Sequence, residues 1–96
     1  MITIIAKLKA RPGKEALLAQ ECINIARIVQ EKEKGCLMYL PHVSADNPAE
    51  ITFFEKYIDQ EAFDAHLQSP YFKQLSEAFR ELLAEKPQTQ FLKELI

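Results

Sequence analysis

One histidine, one mid-strand carboxylate and two tyrosines carry the acid–base chemistry that this chain offers. His66 stands in the run Ala65-His66-Leu67-Gln68-Ser69-Pro70. An imidazole titrates near neutral pH and can take a proton from a phenol-like hydroxyl. Glu55 and Tyr57 share one face of an alternating stretch, residues 51–58, and Tyr39 lies in an earlier one. A carboxylate is expensive to bury unless paired. Buried, Glu55 could orient His66 or raise its basicity through a hydrogen bond. Exposed, it would face a lysine, and alternation alone does not say which sheet face it occupies. His66 also reads as a core-edge histidine bonded to a backbone carbonyl, the commoner role for such a residue. Tyr39 and Tyr57 also read as amphipathic packing residues, the commoner role for tyrosine.

The elements that must position these groups follow from hydrophobic periodicity. Residues 1–10 alternate, with Ile2, Ile4, Ala6 and Leu8 on one face. Arg11-Pro12-Gly13 is a turn. Residues 14–34 form an amphipathic helix with a stripe of Leu18, Cys22, Ile25 and Val29, broadened by Ile28, and Gly35 is expected to end it as a left-handed cap. Residues 36–44 form a second strand, with Leu37, Tyr39 and Val43 on one side and Met38, Leu40 and His42 on the other. Pro41 lacks an amide proton, so this strand belongs at an edge or carries a bulge. Residues 45–50 turn the chain into the strand at 51–58. Asp59 then caps a helix that places Ala62, Phe63, His66 and Leu67 on one side. Ser69-Pro70 restarts a helix with the stripe Phe72, Leu75, Phe79 and Leu82, and Lys86-Pro87 is expected to stop it. Residues 88–96 read as a last strand, with Phe91 and Leu95 on one side.

The order β-α-β-β-α-β predicts an α+β, ferredoxin-like domain over residues 1–96, a four-stranded antiparallel sheet with helices on one face. Strand residues are apolar on both sides: Ile4 and Ile5, Leu37 and Met38, Phe53 and Phe54. Helices can cover only one side, so the other is expected to pack against a second copy in a symmetric homodimer. A pocket between helices and sheet would be lined by Tyr39, Phe53, Glu55 and Tyr57 from strands and by His66, Phe72 and Phe79 from helices.

Composition narrows the function classes. The chain has 96 residues and a formal net charge of −2, without the basic patch that nucleic acid requires. No apolar run approaches membrane-spanning length and no signal-peptide pattern opens the chain, so the cytoplasm is expected. Cys22 and Cys36 read as reduced packing residues. No histidine and carboxylate cluster supports a metal site. The only glycines are Gly13 and Gly35, which leaves no phosphate loop or dinucleotide fingerprint.

Four stretches together resemble the antibiotic biosynthesis monooxygenase family of small dimeric α/β-barrel proteins. They are Ala10-Arg11-Pro12-Gly13-Lys14; Glu33-Lys34-Gly35-Cys36 followed by Tyr39; Glu55-Lys56-Tyr57 with Asp59; and Ala65-His66-Leu67-Gln68-Ser69-Pro70. Within the family the chain looks most similar to quinol monooxygenases. Two positions depart from the pattern: Tyr57 stands where tryptophan is frequent, and Tyr71 where a second histidine is common. The resemblance implies oxygenation of a small aromatic hydroquinone or anthrone by molecular oxygen, with no cofactor. It further implies His66 as base, Glu55 holding it, and Tyr39 and Tyr57 positioning the substrate ring. Two other classes stay open on the same residues: an isomerase of a small hydroxy-keto or phosphorylated compound, and a dimeric binding module without catalysis.

Overall fold

A computed structural model describes residues Met1–Ile96. Strands β1 (Ile2–Lys9), β2 (Cys36–Val43), β3 (Glu50–Tyr57) and β4 (Gln88–Leu92) and helices α1 (Glu15–Lys32), α2 (Gln60–Gln68) and α3 (Pro70–Leu82) follow in the order β1-α1-β2-β3-α2-α3-β4. The sheet order is β2-β3-β1-β4, and each neighbouring pair is antiparallel. This is the expected α+β ferredoxin-like arrangement.

Pairing fixes the faces. Ile4 lies opposite Glu55 and Ala6 opposite Phe53, while Tyr39 lies opposite Glu55 on the other flank. The helix-side face therefore carries Ile4, Leu8, Tyr39, Ile51, Phe53, Glu55 and Tyr57, all buried. Glu55 is thus on the covered face, which alternation had left open. Leu18, Cys22, Ile25, Ala26 and Val29 of α1 and Leu75 and Leu82 of α3 close over it. The opposite face presents Ile5, Met38, Leu40, Phe54 and Leu92, half-buried or exposed.

Five local features depart from expectation. The register of β2 against β3 slips between Cys36 and Met38. Leu37 is the extra residue of a bulge, which turns it outward rather than alongside Tyr39 and Val43. Pro41 itself sits in register opposite Phe53, tolerated because β2 is an edge strand.

Gly35 is not a left-handed cap, since the one positive φ in the chain belongs to Gly13, at 85°. Its lack of a side chain matters for another reason. A Cβ on Gly35 would lie 2.7 Å from the Cβ of Ala62, so only glycine lets the lead-in to β2 pass this close to α2.

α1 stops two residues short of the expected end, with Glu33 already extended as its C-cap. α3 ends at Leu82 rather than near Lys86, because the following residues pair with the end of β1. Ala84 donates its amide proton to the Lys9 carbonyl at 2.8 Å, and Leu83 bridges Ala10. Arg11 adds side-chain bonds to the carbonyls of Leu83 (2.8 Å, from Nε) and Arg80 (3.0 Å). These satisfy acceptors that a helix end otherwise leaves free. β4 ends at Leu92, leaving Leu95 and Ile96 exposed beyond it.

Candidate active site

His66 is held by its local sequence. Asp59 Oδ1 accepts from the Ala62 amide at 2.8 Å and starts α2. Ser69 Oγ accepts from the Phe72 amide at 3.2 Å and donates to the His66 carbonyl at 2.7 Å. The junction that ends one helix and opens the next is thus anchored on the histidine's own backbone. His66 is the one fully buried residue of α2. Its ring packs against Tyr39 (centroids 5.0 Å apart), Phe72 (4.9 Å) and Tyr57 (5.5 Å).

The partner of the imidazole is Glu33, not Glu55. His66 Nδ1 lies 2.9 Å from Glu33 Oε2, and the Tyr71 hydroxyl donates to the same oxygen. With Nδ1 donating to Glu33, the lone pair of the neutral ring lies on Nε2. Nε2 makes no bond within the protein, yet no sealed side-chain nitrogen or oxygen goes unpartnered. This edge of the ring therefore opens on the hollow that His66 lines.

Glu55 has a different anchor. Tyr57 donates its hydroxyl to Glu55 Oε1 at 2.8 Å. Burial is the main cause that lifts the Glu55 carboxyl to about 7; the Tyr57 hydrogen bond opposes this and the nearby Glu33 charge adds to it. Burial also raises the phenols of Tyr39 and Tyr57, each reinforced by the Glu55 charge, so both stay protonated donors. Tyr71 is pushed up to about 12, first by burial and then by its bond to Glu33. Burial likewise holds Cys22 and Cys36 at about 12, and neither is disulfide-bonded.

The hollow has a volume of about 140 Å³ and lies between the covered sheet face and α2 and α3. Tyr39, Phe53, Glu55, His66, Phe72 and Phe79 line it, as the sequence suggested; Tyr57 does not. Tyr57 is completely buried behind Glu55 and supports that carboxyl instead of facing a ligand. Neither the Tyr39 hydroxyl nor the second Glu55 oxygen has a hydrogen-bond partner in the protein, neither is sealed, and both residues line the hollow with His66. Phe63, Leu67 and Leu75 complete its apolar wall, Ser76 and Thr89 lie at its rim, and no lysine or arginine lines it.

Glu33 and Tyr71 were not singled out as site residues by sequence. Tyr71 gave no cue beyond its departure from the family pattern. Glu33 gave a faint one: a carboxylate at a helix C-terminus opposes the helix dipole, so its presence asks for another partner.

Residues 1–78 match the family described as antibiotic biosynthesis monooxygenase. The chain belongs to that family. Among relatives of this monooxygenase family, the probable quinol monooxygenase YgiN of Escherichia coli K12 is 34% identical over 91 residues, covering 83% of this chain and 86% of that one. The fold superposes on PA3566 of Pseudomonas aeruginosa with a TM-score of 0.92 at 25% identity, covering 99% of this chain and 94% of that one. Rv0793 of Mycobacterium tuberculosis gives 0.90 at 27%, covering 99% and 95%.

Proposed function

We propose that the protein is a monooxygenase that oxidises a small aromatic hydroquinone with molecular oxygen and no bound cofactor, as a cytoplasmic homodimer. The observation that carries this reading is the pairing of a buried, oriented imidazole with an apolar hollow of about 140 Å³. Family membership and the name of the E. coli relative support the same reaction class. A hydroquinone that loses a phenolic proton is electron-rich enough to reduce oxygen itself. The protein's task is then to remove the proton, hold the ring and keep water away.

His66 Nε2 takes the proton in this scheme. Glu33 holds the tautomer that makes Nε2 the acceptor, with Tyr71 keeping the Glu33 carboxylate in place. Phe53, Phe72 and Phe79 supply flat walls for the ring, and the Tyr39 hydroxyl is available to one of its oxygens. The absence of a lysine or arginine from the lining counts against a phosphorylated isomerase substrate. The open sheet face, with Leu40, Phe54 and Leu92 exposed, supports association of two copies.

Oxygen uptake with a panel of dihydroxyaromatics, above their spontaneous oxidation, tests the reading. His66→Ala is expected to lower turnover about 10²-fold or more. Equal rates for both proteins would remove the imidazole from the reaction, and no uptake by the wild type would end the oxygenase reading.

A further inference from the structure

Three titratable side chains, Tyr39, Glu55 and His66, line the hollow, and the reaction above gives Glu55 no part. Glu55 lies on the central strand β3, directly opposite Ile4 on one side and Tyr39 on the other. It is buried, lines the hollow with His66, and one oxygen is engaged by Tyr57 while the other is free of protein partners. A carboxyl in that position needs a reason. It neither caps a helix nor holds the histidine, whose Nδ1 is occupied by Glu33.

We infer that Glu55 is a second catalytic residue, the acid that protonates the leaving oxygen when a ring-bound hydroperoxide breaks down. The inference rests on the proposed oxygenase reading. For benzene-1,4-diol, His66 accepts one phenolic proton and the phenolate delivers electrons to oxygen. A C–O bond forms at the ring carbon next to the phenolate oxygen, and the proton on His66 passes to the new peroxide. The hydroperoxide has the composition of diol plus oxygen. In the next step Nε2 takes the hydrogen on the peroxide-bearing carbon. The C–H electron pair becomes the second bond of a carbonyl, the O–O bond breaks, and the departing hydroxide takes a proton from Glu55 and leaves as water. The products are hydroxybenzoquinone and one water. Oxygen is the sole oxidant, and the proton on His66 returns to Glu55 to close the cycle.

The environment of Glu55 suits a donor. Its oxygens meet the Tyr57 hydroxyl on β3 and the hollow beside Tyr39 of β2 and His66 of α2. Cys36 of β2 and Glu33 at the end of α1 are the other titratable groups near enough to act on it, and both disfavour its charge or stay neutral. The α3 residues lining the hollow, Phe72, Leu75, Ser76 and Phe79, bear no charge. A carboxyl held at about 7 keeps its proton through mildly acidic conditions and gives it up as pH rises past neutrality.

Without a donor, the hydroperoxide has another exit. It expels hydrogen peroxide and leaves benzoquinone, again with atoms conserved. The test follows oxygen, hydrogen peroxide and hydroxybenzoquinone together, with benzene-1,4-diol as substrate. Glu55→Gln is expected to lower hydroxyquinone formation about 10²-fold while peroxide approaches one per oxygen consumed. Glu55→Asp, which keeps the carboxyl, is expected to recover part of the hydroxyquinone. His66→Ala is expected to slow oxygen uptake itself, because the imidazole takes the phenolic proton before oxygen reacts. In the wild type alone, the peroxide share is expected to rise as pH climbs through about 7, which needs no variant to fold. An unchanged product ratio in Glu55→Gln, or a ratio flat with pH in the wild type, overturns the role of Glu55 and leaves the oxygenase reading standing. No oxygen uptake by the wild type overturns both.

Discussion

Phe53 and Phe54 are chain neighbours with the same side chain, and the sheet puts them in different worlds. Phe53 is 3% exposed, against Tyr39 and the hollow, whereas Phe54 is 39% exposed on the face that no helix covers. The next two residues repeat the contrast with charges. Glu55 is buried and tied to Tyr57, while Lys56 reaches out to Glu94 beyond β4. The covered face concentrates the buried core and the candidate site in the same residues. The open face carries apolar area that the isolated chain does not use.

Truncation should separate the two faces most strongly. Phe53→Ala is expected to cost about 3–5 kcal/mol in urea unfolding, as for large core aromatics. Phe54→Ala is expected to cost the monomer less than about 1 kcal/mol. Comparable losses at both positions would mean that the faces are not distinct.

The next contrast is between Glu55 and its uncharged analogue. The folded protein holds the Glu55 proton up to about 7, well above the pH at which the unfolded chain releases it. Between those values the native state binds the extra proton, so stability is full at low pH and falls as pH rises toward 7. The loss between pH 5 and pH 8 is expected to be roughly 2–3 kcal/mol, and Glu55→Gln should abolish this component. Unfolding at pH 5 and pH 8, in both proteins, checks the sign and the size.

Phe54→Glu addresses the open face directly. It should leave the fold intact by circular dichroism and weaken self-association by about 30-fold, roughly 2 kcal/mol, in sedimentation equilibrium. Unaltered association would move the dimer contact elsewhere. The smallest effect belongs to the Lys56–Glu94 pair, both partly exposed. Glu94→Ala is expected to change stability by less than about 1 kcal/mol, and less still in high salt.

Much of the scaffold was legible because its signals are local. Alternation gave β1 and β3, the α1 stripe came from its period, and Asp59 and Ser69-Pro70 marked the helix starts that the structure contains. The hollow's lining followed from those faces, apart from Tyr57. What stayed hidden depends on distant partners. Glu33 and His66 meet across 33 residues of sequence, and no periodicity encodes that contact. Residues 83–84 leave the helix because β1 offers them hydrogen bonds, which local propensity cannot foresee. Gly35 is needed for a reason other than the expected one: it answers a neighbour's methyl group rather than a backbone angle.

The extra residue at Leu37 gives the chain slack between the sheet and the end of α1. Deleting it would tidy the ladder and shorten the tether by about 3.3 Å. Glu33, on the far side of that tether, would then be drawn off the imidazole, visible as loss of the downfield Nδ1 proton resonance of His66. An irregularity in an edge strand would thus set the reach of the group that orients the imidazole.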